Sequence, residues 1–457
     1  MNRFLVLSVL WFHSLFLFSQ TTDSLVIDNL FASALRSAVG LKNLEQLCKE
    51  TPHRLAGSAG SAKAIEILVR QLREIHPDTL YLQEVITKPW DRAEKEIAYL
   101  KSSNTGKVSL EALSLGGSVG TPASGILANM VEVQTFDELK KLGKDNIKGR
   151  IVFFNFAMDP GLFSPFQAYS KSAFQRVSGA TEAARYGAVG VVIRSLSNNL
   201  NRFPHTGIMH YNDSIPKIPA IAISTLDAEK VSQILKKEPS LEFFFKTNSK
   251  SLPDVKSYNI IAEFRGIEKP KEIITVGGHT DCWDVGEGAN DDGVGCIQSM
   301  EVARLFRQLK ITTKRTIRVV LFIDEEMNQT GAKAYAKSVK ENGEVIYAAL
   351  ESDSGAGVAR GFGCSASDDK FQKFQALEKY FDQYGITQFY KGGGGVDIGP
   401  LRQFGVPLLN LHPDPQRYFD YHHSANDTFE NISNREMQTG SAAMASLIFL
   451  IDKYNLF

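Results

Sequence analysis

Glu272-Ile273-Ile274-Thr275-Val276-Gly277-Gly278-His279-Thr280-Asp281-Cys282-Trp283-Asp284, continuing through Val285-Gly286-Glu287-Gly288-Ala289-Asn290-Asp291-Asp292-Gly293, is the stretch that decides how this chain folds. Its first six residues form an apolar run of strand length. A glycine-rich turn follows, carrying one histidine and several carboxylates. Beyond it, Cys296, Met300, Ala303 and Phe306 recur at helical spacing. Strand, acidic turn and helix in that order place ligands at the carboxyl edge of an α/β sheet. Alone, a His-x-Asp pair would be an ordinary surface hydrogen bond.

Three further clusters repeat the construction. Arg318-Val319-Val320-Leu321-Phe322-Ile323 ends in Asp324-Glu325-Glu326, and Tyr347-Ala348-Ala349-Leu350 ends in Glu351-Ser352-Asp353. Val406-Pro407-Leu408-Leu409-Asn410-Leu411 precedes Tyr421-His422-His423-Ser424 and Asp427. Each cluster alone reads as a solvated strand end. Together, in adjacent strands of one sheet, the carboxylates would repel strongly unless a cation neutralised them. Imidazole and carboxylate donors suit zinc, with manganese or cobalt as alternatives.

His279-x-Asp281, Gly288-Ala-Asn-Asp291-Asp292, Glu325-Glu326, Glu351-Ser-Asp353 and His423-Ser-x-x-Asp427, in that order, resemble the motif set of the M28-type co-catalytic di-zinc exopeptidases. The motifs span residues 279–427, and a looser likeness covers most of the chain. The resemblance implies a three-layer α/β/α, aminopeptidase-like catalytic domain around a central mixed sheet. It implies one zinc held by His279 and Asp353, a second by Glu326 and His423, and Asp291 bridging the two. Two consecutive aspartates are present, and only the resemblance selects Asp291 over Asp292. Asp281 would accept the free imidazole N–H of His279, and Asp427 could serve His423 in the same way. Glu325 would be the general base that activates a water between the metals for attack on a peptide carbonyl.

The remainder of the chain fits an exported enzyme. It has 457 residues, 43% of them hydrophobic, enough for more than one domain, and zero formal net charge, which argues against a polyanionic partner such as nucleic acid. Residues 1–20 have the charged start and apolar core of a signal peptide, so secretion or periplasmic export is expected, with no membrane span after cleavage. Four cysteines are too few for a disulfide scaffold, and Cys282 and Cys296 read as small buried residues. The catalytic domain is assigned to residues 21–117 and 251–457. Residues 118–250 read as an insertion, similar to the β-rich protease-associated modules common in the family, with its start placed at the glycines near Gly116. Gly392–Gly395 lacks a Gly-Lys-Ser/Thr continuation and is no phosphate loop; the resemblance makes it a wall of the substrate pocket, with Asp397 buried nearby.

The expected activity is hydrolysis of short peptides or dipeptides, of carboxypeptidase or dipeptidase type. An aminopeptidase of the same family is the nearest alternative, because its metal motifs are nearly the same. A glutaminyl cyclase, typically with one zinc, and a non-catalytic receptor-like relative are more distant, since every dinuclear ligand is retained. Short peptides are the expected partners, with monomer and homodimer both open.

Overall fold

The computed structural model describes residues 22–104 and 106–457; the segment 1–20, read as a signal peptide, lies outside them. Two eight-stranded sheets organise the chain. The first runs, in spatial order, through Thr79–Thr87, Val255–Phe264, Arg315–Phe322, Lys269–His279, Val345–Glu351, Leu408–Pro413, Ala359–Ser365 and Gln388–Lys391. Its central four strands are mutually parallel, with antiparallel neighbours on both sides, so the sheet is mixed.

The central strands are apolar without interruption because both faces are covered. Ile260, Ala262, Ile274, Val276, Val319, Leu321, Ala348 and Leu350 face one core, shared with helices Val39–Glu50, Ala59–Arg73, Val294–Leu309 and Asn434–Tyr454. Their alternates Ile261, Ile273, Val320, Phe322 and Ala349 face a second core with Tyr335, Ala336 and Val339 of helix Thr330–Glu341. The period-two alternation of a strand thus divides one sequence between two helical layers, and the expected α/β/α sandwich is present.

Thr79–Thr87 and Val255–Phe264 are hydrogen-bonded neighbours, and the chain between them builds the second sheet. A short ladder of Trp90–Asp91 with Lys250–Ser251 forms the neck. The second sheet has a parallel centre, Ile126–Val133, Ile151–Phe154, Gly190–Arg194 and Ala220–Ile223, and separate cores on its two faces. Ile97–Ser102, Gly106–Leu110 and Ala112–Ser114 also pair within it. The boundary expected at residue 118 therefore falls inside this sheet, and the change of sheet lies at the neck. The glycines near 116 are not a linker: a Cβ on Gly116 would enter the Trp283 ring, and its backbone N–H donates to the Gly207 carbonyl at 2.9 Å.

Among the described residues no single helix is long and apolar enough to cross a membrane. The bent pair Thr22–Arg36 and Val39–Glu50 passes on composition, but Ile27, Leu30, Phe31, Leu44 and Leu47 from it are buried in the first core. Cys48, Cys282, Cys296 and Cys364 are all free and buried.

Candidate metal centre

The parallel strands deliver the site. His279 is the last residue of Lys269–His279; Glu325 and Glu326 follow Arg315–Phe322; Asp353 lies two residues beyond Val345–Glu351. Parallel pairing sets His279 opposite Phe322 and Gly277 opposite Glu351, which brings the three strand ends level. Asp291 sits in the turn before helix Val294–Leu309, and its peptide to Asp292 is cis. His423 comes from the loop after Tyr418–Tyr421, with a positive φ of 59°.

Donor atoms from these elements fall into two groups that share Asp291. His279 Nε2 lies 3.3 Å from Asp291 Oδ1 and 3.5 Å from Asp353 Oδ1. His423 Nε2 lies 3.3 Å from Asp291 Oδ2 and 3.1 Å from Glu326 Oε2. Ligand bonds of about 2.0–2.1 Å in tetrahedral array put neighbouring donors about 3.3 Å apart, and each of these four pairs is near that spacing. His279 Nε2, Asp291 Oδ2 and Glu326 Oε1 are also buried without a hydrogen-bond partner. Buried polar atoms are ordinarily paired, and orphans converging on one space fit a cation. His422 is a weaker candidate: its Nε2 is 3.8 Å from Asp291 Oδ2, and its ring stacks on His423 at 3.4 Å.

The electrostatics agree. Burial pushes the Glu325 carboxyl well up, reinforced by Asp353 and Glu326, and pushes Glu326 up to about 7, with Asp291 adding repulsion. Burial would raise Asp291 too, yet His279 and His423 hold it well below the usual carboxylate range. Burial would depress His423, but Glu326 and Asp291 raise it to about 9. Concentrated negative charge is what a divalent ion would offset.

Two expected supporting roles are different here. Asp281 does not take the His279 N–H through its carboxylate, whose Oδ1 is 3.9 Å from Nδ1; its backbone carbonyl is at 3.0 Å. The carboxylate instead accepts the backbone N–H groups of Asp324, Glu325 and Glu326 at 2.8, 3.2 and 3.3 Å. It therefore shapes the turn that aims both glutamates. Asp427 likewise does not hold His423. It accepts N–H groups from Asn290 and Asp291 at 2.7 and 3.1 Å, while His423 Nδ1 faces the Thr206 carbonyl at 3.3 Å. Strand-end carboxylates with three or two backbone donors in reach are drawn to those before a neighbouring side chain.

Other contributors gave no local signal. Arg54, fully buried, donates to the carbonyls of Thr280, Glu287 and Gly288 and clamps the acidic turn. Arg92 at the neck grips Asp284 with two hydrogen bonds of 2.9 and 2.7 Å. Asp292 accepts the His279 backbone N–H at 3.0 Å. These pairings span more than ten to more than two hundred positions and have no periodic trace.

A cavity of about 740 Å³ opens over the donors, bordered by Glu325, Asp353, Gly393–Gly395, Tyr418 and His423, and by Tyr169 and Arg176 from the second sheet's side. The glycine loop is a wall of this cavity. A Cβ on Gly395 would run into the Glu351 carboxylate, which accepts the Val396 and Ile398 N–H groups at 2.8 Å each.

A buried, carboxylate-rich donor set at the carboxyl edge of an α/β/α sheet, opening into a peptide-sized cavity, is the construction of a metal-dependent hydrolase. The model of Peptidase family M28 matches residues 259–448. Carboxypeptidase Q of Mus musculus is 34% identical over 398 residues, 87% of this chain and 82% of its own length, and that of Bos taurus 35% over the same shares. A Peptidase M28 precursor from Shewanella amazonensis SB2B superposes with a TM-score of 0.90 at 32% identity, over 94% of this chain and 97% of its own. A zinc aminopeptidase from Bacillus subtilis, 20% identical with a TM-score of 0.64 over 90% and 94%, shares the fold. The chain belongs to peptidase family M28 and is a zinc metallopeptidase.

Proposed function

We propose that this chain is an exported exopeptidase acting on short peptides or dipeptides, with two zinc ions held as His279–Asp291–Asp353 and Asp291–Glu326–His423. The observation that carries this reading is the splayed Asp291 carboxylate, one oxygen 3.3 Å from each histidine. A shared anion is what two closely spaced cations need. When bound there, zinc supplies Lewis acidity, bringing the pKa of a water towards neutrality and polarising a peptide carbonyl.

The chain's own groups do the remainder. Glu325 Oε2 is 3.9 Å from His279 Nε2, beside the donors but outside both triads. From that position it can take a proton from the attacking water and return it to the departing amine nitrogen. Asp281 fixes its orientation through the backbone, as above. The apolar rings of Phe166, Tyr418 and Phe419 along the cavity exclude bulk water from that transfer. Export rests on the apolar segment after Arg3.

Elemental analysis of the purified enzyme tests the metal assignment: two zinc ions per chain with chelator-sensitive peptide hydrolysis is expected. One zinc in fully active protein would remove the second site and with it the bridging role of Asp291.

A further inference from the structure

Two buried polar atoms beside the donor groups are left over even when metals are bound. In the His423 group the ligating oxygen of Glu326 is Oε2, 3.1 Å from His423 Nε2. Glu326 Oε1 then remains a buried acceptor with no hydrogen-bond partner among the described residues. Its counterpart is the indole N–H of Trp283, a side chain 3% exposed whose Nε1 also lacks a partner. An indole N–H can only donate and ligates no metal, so a cation satisfies neither atom. Buried donors and acceptors are costly to leave unpaired, and here one of each stands in the same place.

Both residues border one small cavity, separate from the large one over the donors. It measures about 10 Å³ and is lined also by Cys282, Asp291, His423 and Asp427. A space of about 10–15 Å³ takes a single water, provided two to four polar groups meet it. The Trp283 ring is fixed beside that space by its surroundings. A Cβ on Gly116 would come within 2.0 Å of Trp283 Cη2, so the six-membered half of the indole is seated on the inserted sheet's side. The five-membered half, which carries Nε1, therefore stays on the side of the acidic turn. The ring centre lies 5.5 Å from that of His423, and Trp90 packs edge-on at 6.4 Å.

Resting on the two-zinc reading above, we propose that this cavity binds one water, which accepts from Trp283 Nε1–H and donates to Glu326 Oε1. Trp283 is thereby a positioning residue for the zinc held by Glu326 and His423. A bridging water of this kind is nearly as good as a direct hydrogen bond. By engaging Oε1 it stops the carboxylate from rotating and keeps Oε2 turned to the metal, as hydrogen bonds behind a ligand do. His279 and Asp353, the other pair of donors, have no share in the bridge. Because Gly116 seats the indole, the inserted sheet sets the geometry of one metal and leaves the other to the first sheet alone.

The test uses full-length enzyme and its Trp283→Phe variant, which keeps a ring against Gly116 and removes the N–H. Zinc is titrated in steps against a competing chelator, and the two sites are told apart by Glu326→Ala and Asp353→Ala, each of which removes a ligand from one. In Trp283→Phe the Glu326–His423 site should weaken by about 10–100-fold while the His279–Asp353 site keeps its affinity. A ring needed only for packing would weaken both sites alike, and that result overturns the proposal, as does unchanged affinity at both. A crystal structure of the zinc-loaded wild type needs no variant to fold. It should show one water within about 3.2 Å of both Trp283 Nε1 and Glu326 Oε1; no water there, or a direct bond between the two side chains, overturns the proposal. A single zinc in the loaded wild type, with that water in place, would instead overturn the two-zinc reading.

Discussion

The two sheets are built alike and end differently. Each has a parallel centre of four strands with apolar cores on both faces. At the carboxyl edge of the inserted sheet stand Asn155, Ser195 and Ser224, and each has local work. Asn155 bonds Glu132 and Arg194, the Ser195 hydroxyl bridges the Ile223 carbonyl and the His205 N–H, and Ser224 caps helix Thr225–Leu235. At the same edge of the first sheet, His279 Nε2, Asp291 Oδ2 and Glu326 Oε1 are buried with no partner. Sheet topology offers a site in both places. The residues that end the inserted strands are held by local hydrogen bonds, whereas at the first sheet's edge imidazole and carboxylate donors are left unpaired together, as a cation site requires.

The severest way to break that contrast is to remove the shared anion. Asp291→Ala takes a ligand from both donor groups and should weaken both zinc sites together, abolishing turnover, whereas Glu326→Ala should mainly empty one. Metal content by elemental analysis, with and without chelator, decides this. Equal metal loss in the two variants would shift the bridge to another residue, with Asp292 disfavoured because its oxygens face the N–H groups of His279 and Gly295.

Glu325→Gln comes next. Keeping the shape and removing the base should lower kcat by roughly 10²–10⁴-fold with both metals retained. Near-normal turnover in the metal-loaded variant would give the proton transfer to another group.

Asp281→Asn separates support from ligation. One of its oxygens, which accept three backbone N–H groups, would become a donor facing donors. Metal affinity or activity should fall by about 10–100-fold, as for other groups that orient ligands. Unchanged zinc affinity in competition titrations would mean the Glu325–Glu326 turn holds itself.

The smallest effect belongs to the inserted sheet. Ser224→Ala removes a cap that accepts the Asp227 N–H at 3.0 Å, costing about 1 kcal/mol in denaturant unfolding and leaving kcat alone. A kcat change beyond about threefold would show that the two edges are not independent, because a cap of this kind acts on stability alone.

Much of this was written in the chain. Apolar runs ending in His279, Glu326 and Asp353 marked buried strands of one sheet with histidine or carboxylate at their ends, because strand burial and donor chemistry are local properties of residue type and order. The five-motif resemblance supplied the pairing of ligands and the preference for Asp291. Tertiary structure alone decided what each supporting carboxylate faces. Asp281 turned from an imidazole to three backbone N–H groups, and Asp427 to those of Asn290 and Asp291, since hydrogen bonds go to the nearest unpaired donor and nearness is set by folding. It also decided the sheet to which Ile97–Ser114 belongs. Strand runs announce themselves, but partners are chosen by packing, and Gly116 marks the approach of Trp283 and not a linker.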